Sequence, residues 1–264
     1  MTSPAPVVRD YPESAVVIAG GTSGVGLASA LRFVDAGVRR LALIARDEKR
    51  GEVARQAVAQ RCASAQVVFV AADASEPAQA MAGIAEAHRA LGAIDVLVNS
   101  VTATYRPELL HRTAVTDIAT ILLAQALPPM HLTRAVLPIM TEQGGGSIVN
   151  IASDAAKVAT PGESVLGAAM AAIVMFSRVT AIEAKRNGIR VNVITPSLIA
   201  GTPTAENVLR DGFSKNLFEK AAALAHLGVD EPDDLASLVV FLGGPGAARL
   251  TGQAISVNGG ISVA

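Results

Sequence analysis

The chain has 264 residues, of which 51% are hydrophobic, 3% aromatic and 17% charged, with a formal net charge of −1. This length suits one large domain or two small ones, the apolar content excludes an intrinsically disordered chain, and the near-neutral charge leaves no basic footprint for nucleic acid. The single Cys62 excludes a disulfide framework and a cysteine-built metal site.

In chain order, residues 1–13 lack the basic and apolar regions of a signal peptide and read as a flexible arm. Short apolar runs then follow at Ala15–Ala19, Arg40–Ala45, Gln66–Ala71, Ile94–Asn99, Ser147–Ala152, Arg190–Thr195 and Ala254–Val257. They are rich in Val and Ile with little polar alternation, the pattern of strands buried on both faces of a parallel sheet. Between them helical spacing covers Val25–Ala36, Asp47–Arg61, Pro77–Leu91, Thr113–Thr141, Gly162–Asn187 and Pro232–Leu242. Strand alternating with helix predicts right-handed βαβ units, and thus one doubly wound α/β domain with a parallel sheet of about seven strands and helices on both faces. The whole chain, residues 1–264, is expected to form this one domain.

Two stretches stand apart. Residues 200–224 have weak periodicity and contain Gly201, Pro203 and Gly212, which marks a candidate lid. Pro128-Pro129 interrupts a helical stretch. Each proline removes an N–H and clashes with the preceding turn at a cost of roughly 3 kcal/mol, so a kink or break is expected near Leu127. The longest apolar run, Val165–Phe176, has 12 residues, too few to span a bilayer. A soluble cytoplasmic protein with no membrane contact is the expectation.

The segment Gly20-Gly21-Thr22-Ser23-Gly24-Val25-Gly26 follows the first predicted strand and opens the first helix. Backbone N–H groups at a helix N-terminus attract phosphate, and glycines let the backbone approach it closely. The strand–turn–helix setting makes this a nucleotide-binding signal. Here the chain resembles the short-chain dehydrogenase/reductase family, over almost its whole length. Gly20, Gly24 and Gly26 match the family's TGxxxGxG, with Ala19 in place of its Thr. After the second strand stand Ala45 and Arg46, where NAD-preferring members carry an acid. A guanidinium there suits a 2′-phosphate, so the resemblance implies NADP(H). Asp73 matches the family's adenine-contacting Asp, and Asn99 the first Asn of its LVNNAG segment. Thr22 and Ser23 complete the implied phosphate loop. Leu250-Thr251-Gly252-Gln253 and Val257-Asn258-Gly259-Gly260 resemble its TGQ…VDGG ending.

The family's chemistry uses a Ser, a Tyr, a Lys four residues later and a helix-four Asn, for acid–base work coupled to hydride transfer. Asn150-Ile151-Ala152-Ser153 places Ser153 at the catalytic Ser. The Tyr position, 13 residues later and after Pro161-Gly162, holds Leu166, and the Lys position holds Met170. Gln125 stands at the Asn position. The wider spacing of the enoyl-reductase branch would put its Tyr on Glu163 and its Lys again on Met170. Ser153 alone supplies no acid and reads as a relic or a structural hydrogen bonder.

Glu163 and Ser164 read as helix caps, and Asp154 and Lys157 as a solvated ion pair. Tyr105, in the loop after the fourth strand, is a substitute acid or a packing residue. His88, His111, His131 and His226 are scattered without metal-ligand spacing.

Three functions stay open. One is a catalytically silent subunit that pairs through helices four and five with itself or with an active relative. Another is an enzyme of altered chemistry, NADP-dependent or non-redox, on a small hydrophobic substrate. The third is an NADP(H)-binding sensor, in which the nicotinamide end is weakened by the missing Lys.

Overall fold

A computed structural model describes residues 6–208 and 212–264. All seven apolar runs form strands: β1 (Ala15–Ala19), β2 (Arg40–Ala45), β3 (Gln66–Ala71), β4 (Val96–Asn99), β5 (Gly146–Ile151), β6 (Ile189–Pro196) and β7 (Ala254–Val257). They make one sheet in the order β3-β2-β1-β4-β5-β6-β7, with every pairing parallel. β1, β4 and β6 are buried along their whole length, the physical origin of their unbroken apolar sequence.

Among the described residues eight helices connect the strands: α1 (Gly24–Asp35), α2 (Glu48–Arg61), α3 (Pro77–Leu91), α4 (Val115–Gln143), α5 (Ser164–Ala184), α6 (Pro203–Val208), α7 (Gly212–Leu224) and α8 (Pro232–Gly243). One core lies between the sheet and α1, α2 and α8, around Phe33, Leu41, Leu43 and Leu242. The other lies beneath α3, α4 and α5, around Ile84, Leu97, Leu132 and Met140. The sheet order reverses direction between β1 and β4, the switch point at which a ligand crevice opens beyond the strand ends in such sheets.

Three expectations need correction. The expected break near Leu127 does not occur: α4 continues through Pro128, Pro129 and Pro138. Pro128 and Pro129 lie on its buried side with Gln125, Ala126 and Leu132, and burial of that apolar side offsets the missing backbone bonds. Residues 200–224 are largely helical, with residues 209–211 of this stretch outside the described residues. Thr202 accepts from the Ala205 N–H and Pro203 takes the first helical position, a strong local start signal.

Of the N-terminal arm, residues 1–5 lie outside the described residues, but residues 6–13 are tied down. The Val7 N–H donates to the Gly144 carbonyl, Arg9 pairs with Asp95, and the Tyr11 hydroxyl donates to the Val240 carbonyl.

The apolar run in α5 is also longer than it reads locally. With its 3-10 extension it covers Ser164–Asn187, 24 residues apolar enough to cross a membrane by length and composition, and 44% of its most apolar window is buried. It lies against α4 and β6, as a core helix does.

Candidate functional site

The strand ends gather most of the residues singled out in the sequence. Gly20 leaves β1, Arg46 leaves β2, Asp73 follows β3, Asn99 ends β4 and Ser153 follows β5, all at the C-terminal edge of one parallel sheet.

At the β1–α1 end the backbone is packed so closely that side chains are excluded. A Cβ on Gly20 would strike the Ser100 carbonyl, and one on Gly26 would strike the Gly20 carbonyl. Gly24, at φ +50°, faces open space apart from the Thr202 methyl at 3.6 Å. Ser23 is the N-cap of α1 but makes no side-chain capping bond, and the first turn carries no acid. The N-terminal N–H groups of α1 therefore keep their capacity for an anion. This cradle fits a dinucleotide's phosphates.

Arg46 and Asp73 meet at 3.6 Å with the Arg46 side chain 72% exposed, so the guanidinium is free to turn to a ligand. Burial works to raise the Asp73 carboxyl, but bonds from Ser75 and the Arg46 charge outweigh it and hold the group below its ordinary value. Asn99 points inward. Its Nδ2 donates to Asn150 Oδ1 at 2.7 Å, and Asn150 donates to Ser177 at 2.8 Å. Among the described residues, Asn99 Oδ1 is a buried oxygen without a partner.

The other end of the crevice is different in kind. Leu166 and Met170 lie one turn apart on α5 and join an apolar cluster with Ala152, Ile173, Val174 and Val193. Neither side chain transfers a proton or donates a hydrogen bond. Ser153 Oγ accepts from the Ala155 N–H at 3.2 Å and caps a 3-10 turn. Gln125 is buried. It donates to the Ala103 carbonyl at 2.9 Å, and its Oε1 faces the Ala103 N–H and Thr102 hydroxyl at 3.4 Å each. Its amide thus holds the loop after β4.

Tyr105 does not stand as a free acid. Its hydroxyl donates to the Gly162 carbonyl at 2.6 Å. Burial, with the Glu163 and Glu108 charges, pushes it up to about 12, away from any neutral-pH proton donor. It latches the 105–108 loop onto the start of α5, where the Glu108 N–H donates to the same carbonyl at 2.9 Å.

Two bland sequence readings give way here. Asp154 and Lys157 are a buried pair, 3.8 Å apart with side chains 6% and 14% exposed. Asp154 also accepts from Ser256, Asn258 and Ser262, so the pair pins the loop after β5 to the segment after β7. Glu163 makes no side-chain capping bond to α5. Burial pushes its carboxyl up to about 7. It lines a cleft of about 400 Å³ with Thr160, Pro161 and Ser164. The Pro161-Gly162 turn that tucks Glu163 inward is a visible signal, but it does not reveal desolvation.

A family model described as enoyl-(acyl carrier protein) reductase matches residues 19–262. A 7alpha-hydroxysteroid dehydrogenase of Bacteroides fragilis is 31% identical over 255 residues, covering 96% of this chain and 96% of the relative. A Xanthobacter autotrophicus protein named as an inactive 2-(S)-hydroxypropyl-CoM dehydrogenase 2 is 32% identical over 228 residues, covering 86% of this chain and 98% of the relative. The crystal structure of a Brucella melitensis 3-ketoacyl-(acyl-carrier-protein) reductase in complex with NADH superposes with a TM-score of 0.84 at 26% identity, covering 96% of this chain and 100% of that chain.

Proposed function

This chain belongs to the short-chain dehydrogenase/reductase family of oxidoreductases, and from that premise we propose that it is a member silent in the family's reaction. In this reading it binds NADP(H) and assembles with an active relative through α4 and α5. A nicotinamide cofactor would supply hydride chemistry where an active relative uses it; this chain's own part would be to hold it. The α1 N-terminus with Thr22, Ser23, Gly24 and Gly26 holds the phosphates, Arg46 the 2′-phosphate, Asp73 the adenine end, and Asn99 the fold of the β4 end.

The observation that carries the proposal is the apolar cluster around Leu166 and Met170. It leaves the reacting end without a proton donor and without a cation for the nicotinamide ribose. A relative at 32% identity is itself named as inactive, which supports this reading. The partner face rests on α5, where Met175, Val179 and Ile182 are exposed on the side away from the sheet, and on exposed Val115 and Leu123 of α4. Apolar side chains of this density on one layer suit a subunit contact.

The test is co-expression with an active family member from the same host, followed by native mass spectrometry and NADPH turnover. A mixed oligomer, with no turnover by this chain alone, is expected. Homo-oligomers only, or ketone reduction by the isolated chain, overturns the proposal.

A further inference from the structure

We propose that the cleft between residues 155–161 and the first turn of α5 is a small-molecule site for a primary amine, whose ammonium is held by Glu163. The cleft, about 400 Å³, falls within the range of ligand sites. Its walls are short and apolar at Ala155, Ala159 and Pro161, with polar groups at Glu163, Thr160 and Ser164. The wall is held firmly: a Cβ on Gly167 would come within 2.8 Å of the Ala155 carbonyl, so the loop rests on bare helix backbone.

The polar chemistry of the cleft is that of acceptors. The Thr160 hydroxyl gives its proton to the Val158 carbonyl at 3.3 Å, which leaves its lone pairs for a donor. The Glu163 carboxyl is not bonded to the helix it heads, and among the described residues no Lys, Arg or His lines the cleft. The neighbouring groups are acids as well, since Glu163 and Glu108 both act on the Tyr105 phenol. Lys157, the cation of the 155–161 loop, is occupied by Ser256, the Ala264 carbonyl and Asp154. Among the described residues burial is what acts on the Glu163 carboxyl, and a half-buried carboxylate gains most from a cationic donor. An ammonium offers three N–H donors and no acceptor, the complement of this lining. The burial that raises Glu163 also strengthens its attraction for a cation over what a surface carboxylate shows. The site rests on the opening turn of α5 and not on the glycine loop, so its failure leaves the nucleotide proposal standing.

The experiment is calorimetric titration of the purified full chain with three isosteric probes: cyclohexylamine, cyclohexanol and cyclohexanecarboxylate. The amine is expected to bind at least tenfold more tightly than the alcohol, and the carboxylate not at all. Glu163→Gln keeps the shape and should weaken the amine at least tenfold, to the level of the alcohol. Ala159→Phe, which fills the cleft from an exposed wall, should abolish binding of both. Circular dichroism checks that both variants fold. Equal affinity for amine and alcohol, undetectable amine binding, unchanged amine affinity in Glu163→Gln or unchanged amine binding in Ala159→Phe would each overturn the proposal.

Discussion

The two ends of the crevice above the sheet obey different constraints. At the β1–α1 end the requirement lies in the backbone: Gly20 and Gly26 stand where any Cβ meets a carbonyl, and the cradle exists because nothing occupies it. At the β5–α5 end the fold is equally intact, yet Leu166 and Met170 have become part of an apolar cluster. A binding cradle made of backbone is lost only with the fold around it, whereas an acid–base pair is lost by exchanging two side chains. On the proposed reading, a chain of this family gives up its chemistry and keeps both its architecture and its glycine loop.

The comparison is broken most severely at Gly26. Gly26→Val should destabilise the domain beyond ~4 kcal/mol, because its new side chain meets backbone that cannot turn aside, and should abolish NADPH binding in calorimetry. Ordinary thermal stability with retained NADPH binding would mean that the loop is not a close-packed cradle.

Next in size is Met170→Lys, which returns a cation to the family's Lys position. Met170 is buried among Ala152, Ile173, Val174 and Val193, so an unpaired ammonium there should cost ~3 kcal/mol, a drop of roughly 6–12 °C in melting temperature. If the variant melts as the parent does, the reacting end has kept a polar cavity and is not core.

Arg46→Ala sharpens the nucleotide end. Loss of a charge-assisted bond to a 2′-phosphate is worth ~1.5–3 kcal/mol, so NADPH affinity should fall about ten- to a hundredfold with NADH affinity unchanged. An equal fall for both cofactors would reduce Arg46 to the partner of Asp73 that it already is.

Much of this was legible in the sequence. Strands buried on both faces announce themselves as Val/Ile runs, and the strand–turn–helix setting of the glycines located the cradle. What stayed hidden depends on tertiary neighbours. Pro128 and Pro129 read as a kink or a break, but the helix continues because their side of α4 is buried, and that burial is invisible in local propensity. Asp154 and Lys157 read as a solvated pair because their partners Ser256, Asn258 and Ser262 lie about a hundred residues away. Tyr105 reads as a substitute acid or a packing residue, because the Gly162 carbonyl that holds its hydroxyl lies 57 residues away.

Glu163 gives the smallest effect and the most direct measure of how far the reacting end has been closed off from water. A carboxyl raised to about 7 in the fold, against an ordinary value near 4.5, binds its proton more tightly folded than unfolded. Its destabilising effect is thus absent below about pH 4.5, grows as the pH rises through 7, and is complete above it. Partial exposure keeps that cost at ~1 kcal/mol, roughly 2–4 °C in a domain of this size. Glu163→Gln does not titrate, so its melting temperature should rise relative to the parent between pH 4.5 and pH 7 and then hold a constant advantage. A difference independent of pH over that interval would mean that the Glu163 carboxyl is solvated. The opening turn of α5 would then be as open to water as the exposed guanidinium at the nucleotide end.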